Sequence, residues 1–258
     1  MDSLQALIFG LVQGLTEFLP ISSSGHLEIL KYFFGDAGSD FIFTVVVHAA
    51  TVLSIIVVFW SEIVQLIKGV FKFEMNTETD YVLKIIVSMI PAAIVGLTLN
   101  NFIEGFFNGN MVFIGSMLIL TALFLAASHV IPKGTKPITY KGAFFMGLAQ
   151  ALAVLPGLSR SGTTISTGLM LGHKKEEITK FSFLMVIVPV IGGTIMEMLS
   201  SKNMTGDVNA IPLVIAFVTA FVAGFAACKW MVNIVRKGNL YWFAIYCSLA
   251  GASLILFM

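Results

Sequence analysis

A serine and a histidine stand three positions apart in the segment EFLPISSSGHLEIL (residues 17–30), in an otherwise apolar part of the chain. A serine hydroxyl becomes an effective nucleophile when an adjacent base accepts its proton, and histidine acts as base or acid near neutral pH. Ser23 and His26 are therefore a candidate nucleophile and its partner. The competing interpretation is that His26 is a polar residue at the tip of the segment with no chemical role.

Two more oxygen-bearing side chains precede this pair. Gln13 and Glu17 are four positions apart, which places them on one face of a helix. Such a face could present oxygens to a divalent cation, Mg²⁺ or Ca²⁺, shared with substrate phosphates. Glu17 could instead orient His26 or pair with Arg160, and the sequence leaves these three roles open.

Arg160 lies deep in a second apolar segment, PGLSRSGTTIS (residues 156–166). A charged side chain at membrane depth costs about 2.5–3.5 kcal/mol on insertion scales, so this residue needs a partner or a task. One interpretation is a structural ion pair with Glu17, and the other is a guanidinium fork that holds phosphate oxygens. Each polar cluster also stands at the start of a short helix, whose free N–H groups attract anions. Together these features predict an anion pocket.

The composition predicts that these segments lie in a membrane. Of 258 residues, 57% are hydrophobic and 11% charged, whereas soluble domains carry about 25% charged residues. With a net charge of +1 and no basic tract, nucleic acid is not an expected partner. Six apolar runs approach the roughly 20 residues that cross a bilayer core. These predicted spans are residues 41–61, 82–99, 111–131, 181–199, 210–228 and 240–258.

Two further apolar stretches, residues 3–34 and 142–172, are interrupted by the clusters LPISSSGH and LPGLSRSG. Proline and glycine end helices and serine caps them, so each stretch is predicted to form a re-entrant hairpin of two short helices around a polar tip. A shift of 137 positions aligns the two tips without gaps. The matched pairs are Gly10 with Gly147, Gln13 with Gln150, Ser22 with Ser159, Ser24 with Ser161 and Gly25 with Gly162.

Each hairpin is followed by three spans, an odd number, so the second copy is expected to insert upside down relative to the first. The predicted fold class is an all-α polytopic membrane protein with an inverted-topology repeat. It has six transmembrane helices and two re-entrant helical hairpins whose tips meet near the bilayer midplane. The whole chain, 1–258, is then one membrane domain, with repeat one at about 1–131 and repeat two at about 142–258.

The distribution of lysine and arginine gives this topology an orientation. The loops at 62–81, 132–141, 173–180 and 229–239 carry most of the basic residues, whereas Lys31 and Lys202 lie opposite. Basic loops face the cytoplasm, which places both termini outside it.

The motifs LVQGLTEFLPISSSGH and LPGLSRSGTTIS closely resemble those of the undecaprenyl-diphosphate phosphatases of the bacitracin-resistance (BacA, UppP) type, and the resemblance extends over essentially the whole chain. It implies a hydrolase of the bacterial inner membrane with its site open to the outer side. Such an enzyme converts undecaprenyl diphosphate to the monophosphate, recycles the lipid carrier of peptidoglycan synthesis and confers bacitracin resistance. The implied partners are a polyprenyl diphosphate lipid and the bilayer.

The resemblance also implies roles for individual residues. Glu17 would be an essential acid, Ser23 the nucleophile, His26 its base or acid partner, and Arg160 the phosphate clamp. Gln13 stands where family members often carry a second glutamate, so Glu17 is left as the candidate ligand of Mg²⁺ or Ca²⁺, which one carboxylate should hold less firmly. The expected substrate-binding residues are Gln13, Ser22, Ser24, Ser159, Ser161 and Thr164.

A transporter or flippase of polyprenyl phosphate or another anionic lipid is the alternative, because inverted repeats with broken helices are typical of secondary transporters. The Ser23–His26 pair favours the phosphatase, since a transporter needs anion ligands but no activated nucleophile. His48 has no polar neighbours within its span and is predicted to be structural. Gly192 and Gly193 would permit close helix packing at a homodimer contact.

Overall fold

The computed structural model describes residues 1–35, 41–99, 102–103, 105–107, 109–131, 134–200, 210–237 and 240–258. Lys133 and Lys202, which entered the charge count, lie outside these ranges. Within them the chain forms eleven α-helices and no named β-strand. The helices are α1 Ser3–Phe18, α2 Ser23–Phe34, α3 Phe41–Val58, α4 Trp60–Val70, α5 Thr77–Thr98, α6 Met111–His129, α7 Tyr140–Leu152, α8 Arg160–Met170, α9 Lys175–Ser200, α10 Ala210–Lys237 and α11 Tyr241–Phe257.

Long apolar helices make the chain a multi-pass membrane protein. Among the described residues, α5, α6 and α10 are each long and apolar enough to cross a bilayer, and α11 is apolar but shorter. Helices α3 and α4 would form a fourth span together, but the chain bends by 76° between them. The loop predicted at 62–81 therefore begins as a helix instead. The full set of six spans stays a prediction.

The two interrupted stretches each form a pair of helices, as predicted. Helix α1 packs on α2 and α7 packs on α8, with the polar clusters at the breaks between them. The longest arm, α1, has 16 residues. At 1.5 Å per residue it measures about 24 Å, less than the roughly 30 Å of a bilayer core. Short arms of this kind favour re-entry over spanning.

The first helix of each half of the chain packs on a helix of the other half. Helix α1 packs most extensively on α10, and its counterpart α7 packs most extensively on α5. Helices α6 and α11, which end the two halves, cross at a pair of glycines. A Cβ on Gly115 would lie 2.7 Å from the carbonyl oxygen of Gly251, and one on Gly251 would lie 2.5 Å from that of Gly115. Reciprocal contacts of this kind are what an inverted repeat would produce.

Gly147→Ala is expected to lower the thermal stability of the protein. A Cβ at this position would lie 2.1 Å from the carbonyl oxygen of Ser88, which is backbone and cannot rotate away, so α5 and α7 would have to separate. Overpacking of this kind costs about 1–3 kcal/mol. The check is the Tm of the purified protein in detergent. Gly192→Ala is the control, because nothing lies within 4 Å of a Cβ there. Equal Tm values for the two variants would contradict the tight contact.

Candidate active site

Serine caps build both hairpin tips in the same way. The first serine of each tip accepts a hydrogen bond from the backbone N–H three residues later. Gly25 N donates to Ser22 Oγ at 3.2 Å, and Gly162 N donates to Ser159 Oγ at 3.1 Å. The first N–H groups of α2 and α8 have no partner within their own helices. Two positive helix ends are thereby fixed at the tips.

The two tips contact each other, as expected. Ser161 Oγ donates to the carbonyl oxygen of Leu19 at 3.1 Å, and Gly157 N donates to Ser24 Oγ at 3.3 Å. The backbones approach so closely that a Cβ on Gly25 would lie 3.1 Å from Gly157 Cα. Ser24 and Ser161, which are equivalent under the shift of 137 positions, therefore tie one hairpin to the other.

A partly buried ion pair joins the hairpins at their tips. One carboxylate oxygen of Glu17 accepts a hydrogen bond from Arg160 Nη2. The other accepts from Ser23 Oγ at 2.6 Å and from Gln13 Nε2 at 3.1 Å. Glu17 is only 8% exposed, so its charge depends on these donors. Of the three roles left open for Glu17, the structure shows the pairing with Arg160.

The hydrogen bonds found for the His26 ring among the described residues go to groups other than the Ser23 hydroxyl, so the pairing of Ser23 with His26 stays a prediction. Its Nδ1 donates to the carbonyl oxygen of Ser22 at 2.7 Å, and its Nε2 lies 2.6 Å from the hydroxyl of Tyr246. Side chains on a helix lean toward its N-terminus, so the ring reaches back to the carbonyl four residues before it. A carbonyl only accepts, which assigns the proton to Nδ1 and makes Nε2 of a neutral ring the acceptor from Tyr246.

The backbone that His26 holds is unusual. Ser22 has φ +71°, a value that is uncommon for residues other than glycine. Such conformations persist where surrounding contacts hold them, and they cluster at functional sites. Its counterpart Ser159 has an ordinary φ of −76°. The strain is thus confined to the tip that carries Ser23.

The tips form the polar end of a cavity of about 380 Å³. Its polar lining comprises Thr16, Glu17, Ser22, Ser23, Ser24, Thr44, His48, Gln150, Ser159 and Arg160. Its remaining walls are apolar and come largely from α5 and α9, with Ala92, Gly96, Val186, Pro189, Val190 and Gly193 among them. A cavity with a polar end and apolar sides suits a ligand with an anionic head and an apolar chain.

Three of the expected substrate-binding residues, Gln13, Ser161 and Thr164, do not line the cavity. Gln13 is fully buried and donates to Glu17. Ser161 is engaged with the other tip, as described. Thr164 is fully buried, and its hydroxyl bonds to the carbonyl oxygen of Arg160 at 2.8 Å and to the hydroxyl of Ser182 at 2.6 Å. Ser161 and Thr164 both support the start of α8.

The predicted homodimer contact at Gly192 and Gly193 stays a prediction. In the structure, Gly193 lines the cavity.

Sequence reasoning missed four polar residues that line the cavity: Thr16, Thr44, His48 and Gln150. His48 lies in its wall with Nδ1 donating to the carbonyl oxygen of Thr44 at 2.8 Å, and its charged form would attract Glu17. No sequence signal marked it, because the facing of α3 depends on packing with distant helices. Gln150 also lines the cavity, and here a signal existed, because it aligns with Gln13 under the shift of 137 positions.

The side chains around Glu17 do not form a dedicated divalent-cation site in this arrangement. Both carboxylate oxygens already accept hydrogen bonds, and the charge is balanced by Arg160. Within the described part of the chain, no three His, Cys, Asp or Glu side chains come together as metal ligands would. Dependence on Mg²⁺ or Ca²⁺ therefore stays a prediction.

The fold and the cavity together are those of a multi-pass membrane protein in which a half-buried arginine and two helix N-termini face one space. Within that class the family is clear. The family model for the bacitracin resistance protein BacA matches residues 6–253, so the chain belongs to this family.

Several relatives are similar to the chain over nearly its whole length. A protein of Bacteroides thetaiotaomicron named undecaprenyl-diphosphatase is 51% identical, over 99% of this chain and 99% of its own. Proteins with the same name from Christiangramia forsetii and Methanococcus vannielii are 45% and 39% identical. The alignments cover 100% and 99% of this chain, and 98% and 100% of the relatives.

Proposed function

We propose that this protein hydrolyses undecaprenyl diphosphate to undecaprenyl phosphate and inorganic phosphate. The observation that carries the proposal is the Ser23 hydroxyl, held 2.6 Å from a Glu17 oxygen and beside Arg160 in an amphipathic cavity. The names of the relatives support the same substrate. The reaction returns the lipid carrier to peptidoglycan synthesis and, as the family name implies, confers bacitracin resistance.

Substrate binding would begin with a change of partner for Arg160. The terminal phosphate carries more negative charge than the single carboxylate of Glu17, so its oxygens compete with Glu17 for the guanidinium of Arg160. As Arg160 turns to the phosphate, Glu17 loses its cation in a low-dielectric site and becomes a stronger base. The N-termini of α2 and α8 would bind the remaining oxygens. Binding of the anion thus prepares the base that the reaction needs.

The chemistry then needs two displacements at one phosphorus atom. Ser23 Oγ attacks the terminal phosphorus while its proton passes to Glu17, and the bond to the bridging oxygen breaks to release undecaprenyl phosphate. Water next attacks the phosphoserine, and the bond between phosphorus and Ser23 Oγ breaks. Glu17 returns its proton to Ser23 Oγ, and both protons of the water leave with the released phosphate. Arg160 and the helix N-termini stabilise the charge in both steps. Direct attack by water, with Ser23 only binding phosphate, is the variant to be tested.

We also propose the inverted repeat, with residues 1–131 and 142–258 as its halves, both termini outside the cytoplasm and the cavity open to the outer side of a bacterial inner membrane. Three observations support this arrangement: the exchanged packing of α1 and α7, the short hairpin arms, and the position of the cavity. Thr44 near the start of α3 and Gly96 near the end of α5 line it, so it lies toward the end of the bundle opposite the lysine-rich loops.

The test is phosphate release from undecaprenyl diphosphate by the purified protein in detergent, with Mg²⁺, with Ca²⁺ and with EDTA. We expect release by the wild-type protein, and the EDTA sample decides the metal dependence. A folded wild-type protein that releases no phosphate under any of these conditions would overturn the proposed phosphatase activity. The alternative, transport of an anionic lipid, would then be measured in proteoliposomes.

His26→Ala is expected to lower kcat by about 10- to 100-fold, because a small displacement of a reacting group costs that much. The variant loses the bond to the Ser22 carbonyl that holds the strained tip. A positioning residue lowers the rate at every pH, so the pH profile should keep its shape while Tm falls. Tyr246→Phe, which removes only the outer hydrogen bond, is the matched control and should change kcat less. Loss of one limb of the pH profile in His26→Ala would identify it as the acid or base.

A further inference from the structure

We propose that Gln150 binds the diphosphate group and positions it beside Arg160, an inference that rests on the proposed function. Gln150 lies in the last turn of α7, lines the cavity and is only 3% exposed. Neither its amide nitrogen nor its amide oxygen has a hydrogen-bond partner among the residues that the structure describes. Gln150 has no role in the two proposed displacement steps.

A buried amide without partners calls for an explanation, because nearly all buried polar side chains are hydrogen-bonded. Gln150 faces the same cavity as Glu17 and Arg160. A diphosphate supplies acceptor oxygens for the amide N–H groups, and a protonated phosphate oxygen could donate to the amide oxygen. A neutral amide adds donors without adding charge to a site that already holds an ion pair. The unmet donors and acceptor therefore fit a phosphate head group.

Comparison with Gln13 explains why this amide is free. The two glutamines are equivalent under the shift of 137 positions. Gln13 Nε2 donates to Glu17, four residues further along its helix. The residue four positions after Gln150 is Val154, which offers no acceptor on its side chain. The first repeat thus uses its glutamine within the protein, whereas the second repeat leaves its glutamine to a ligand.

The backbone that carries Gln150 is rigidly placed. One turn earlier, Gly147 lies against the carbonyl oxygen of Ser88, so α7 cannot approach or slide along α5 without a clash. At the residue immediately before Gln150, the carbonyl oxygen of Ala149 accepts from Thr163 Oγ1 at 3.3 Å, which ties α7 to α8. A donor on a preorganised helix binds a ligand without first paying for its own ordering.

The test compares Gln150→Met with wild type in three measurements: Tm, steady-state kinetics, and binding of a non-hydrolysable prenyl diphosphonate with a methylene bridge. Methionine keeps the length of the side chain and removes the unmet polar groups, so Tm should be unchanged or higher. We expect KM and the dissociation constant of the analogue to rise together by about 10- to 100-fold, with kcat little changed. This is the pattern for a contact that binds the ground state and the transition state equally. Gln150→Glu, which places a carboxylate near phosphate, should weaken analogue binding further.

Ser166→Ala is the matched control. Ser166 is also fully buried with a hydroxyl that lacks a partner among the described residues, but it does not line the cavity. Its substitution should leave both KM and the analogue affinity unchanged. Wild-type KM and analogue affinity in Gln150→Met would overturn the proposal, as would a lower Tm that accompanies the loss, since this would indicate a structural role. If the wild-type protein binds the analogue but releases no phosphate, the proposed function fails while the role of Gln150 is still measured.

Discussion

Arg160→Ala is expected to lower kcat/KM for phosphate release by about 10³-fold or more, the range found for arginines that stabilise phosphoryl transfer. Among the described residues, Arg160 is the side-chain cation that forms an ion pair with Glu17, and it lines the cavity at the N-terminus of α8. Its removal leaves only backbone N–H groups and neutral side chains at the tips to bind phosphate. Arg160→Lys keeps the charge but loses the planar fork, so we expect only partial recovery.

The same substitution should also destabilise the protein, and the two effects can be separated. Without Arg160, Glu17 is a buried carboxylate with no cation, which costs about 3–5 kcal/mol. Combining Arg160→Ala with Glu17→Gln removes both charges and should restore most of the lost Tm. Activity should stay absent in the double variant. Recovery of phosphate release together with Tm would show that Arg160 serves the fold and not the reaction.

Ser23→Ala is expected to lower kcat by about 10³-fold or more, because the variant lacks the nucleophile and relies on direct attack by water. The fold should tolerate the change, since the hydroxyl lines the cavity and its partner Glu17 keeps Arg160 and Gln13 as donors. Acid quenching of the wild-type enzyme during turnover, followed by mass spectrometry of its peptides, should detect phosphoserine at position 23.

The matched control for this experiment is Ser24→Ala, one residue further along α2. Ser24 lines the same cavity, but its hydroxyl contacts Ser22 and Gly157 and not Glu17. We expect a smaller loss of kcat and the same phosphoserine signal at Ser23. If Ser23→Ala loses only about tenfold and no phosphopeptide forms in the wild-type enzyme, Ser23 is a phosphate ligand and water attacks directly.

The sequence predicted the hairpins and the meeting of their tips because both depend on local and repeated signals. Proline, serine and glycine interrupt each apolar stretch, and the repeat aligns the two interruptions. The helices at both breaks are therefore readable from residue types. An ion pair between Arg160 and Glu17 was one of the interpretations that the sequence left open, and the structure shows it.

Other features depend on contacts between distant parts of the chain and could not be predicted. The ring of His26 bonds to Tyr246, which is 220 positions away, and spacing alone gave no sign of this partner. His48 reaches the cavity because α3 packs on α10, which fixes the rotation of α3 about its axis. Helix α4 carries charges that read as a loop, but its apolar face lets Ile63 and Leu66 pack against the core after the bend.

Ser23 and Arg160 occupy equivalent positions in the two hairpins, as the shift of 137 positions shows. One half of the chain thus supplies the hydroxyl and its acceptor, and the other half supplies the cation. During synthesis, the first hairpin enters the membrane well before the ribosome has made the second. The nascent first half carries Glu17, Ser23 and the N-terminus of α2 but lacks Arg160, so we expect it to be inactive. Hydrolysis would then begin only when both halves are in place, and activity would measure completed assembly.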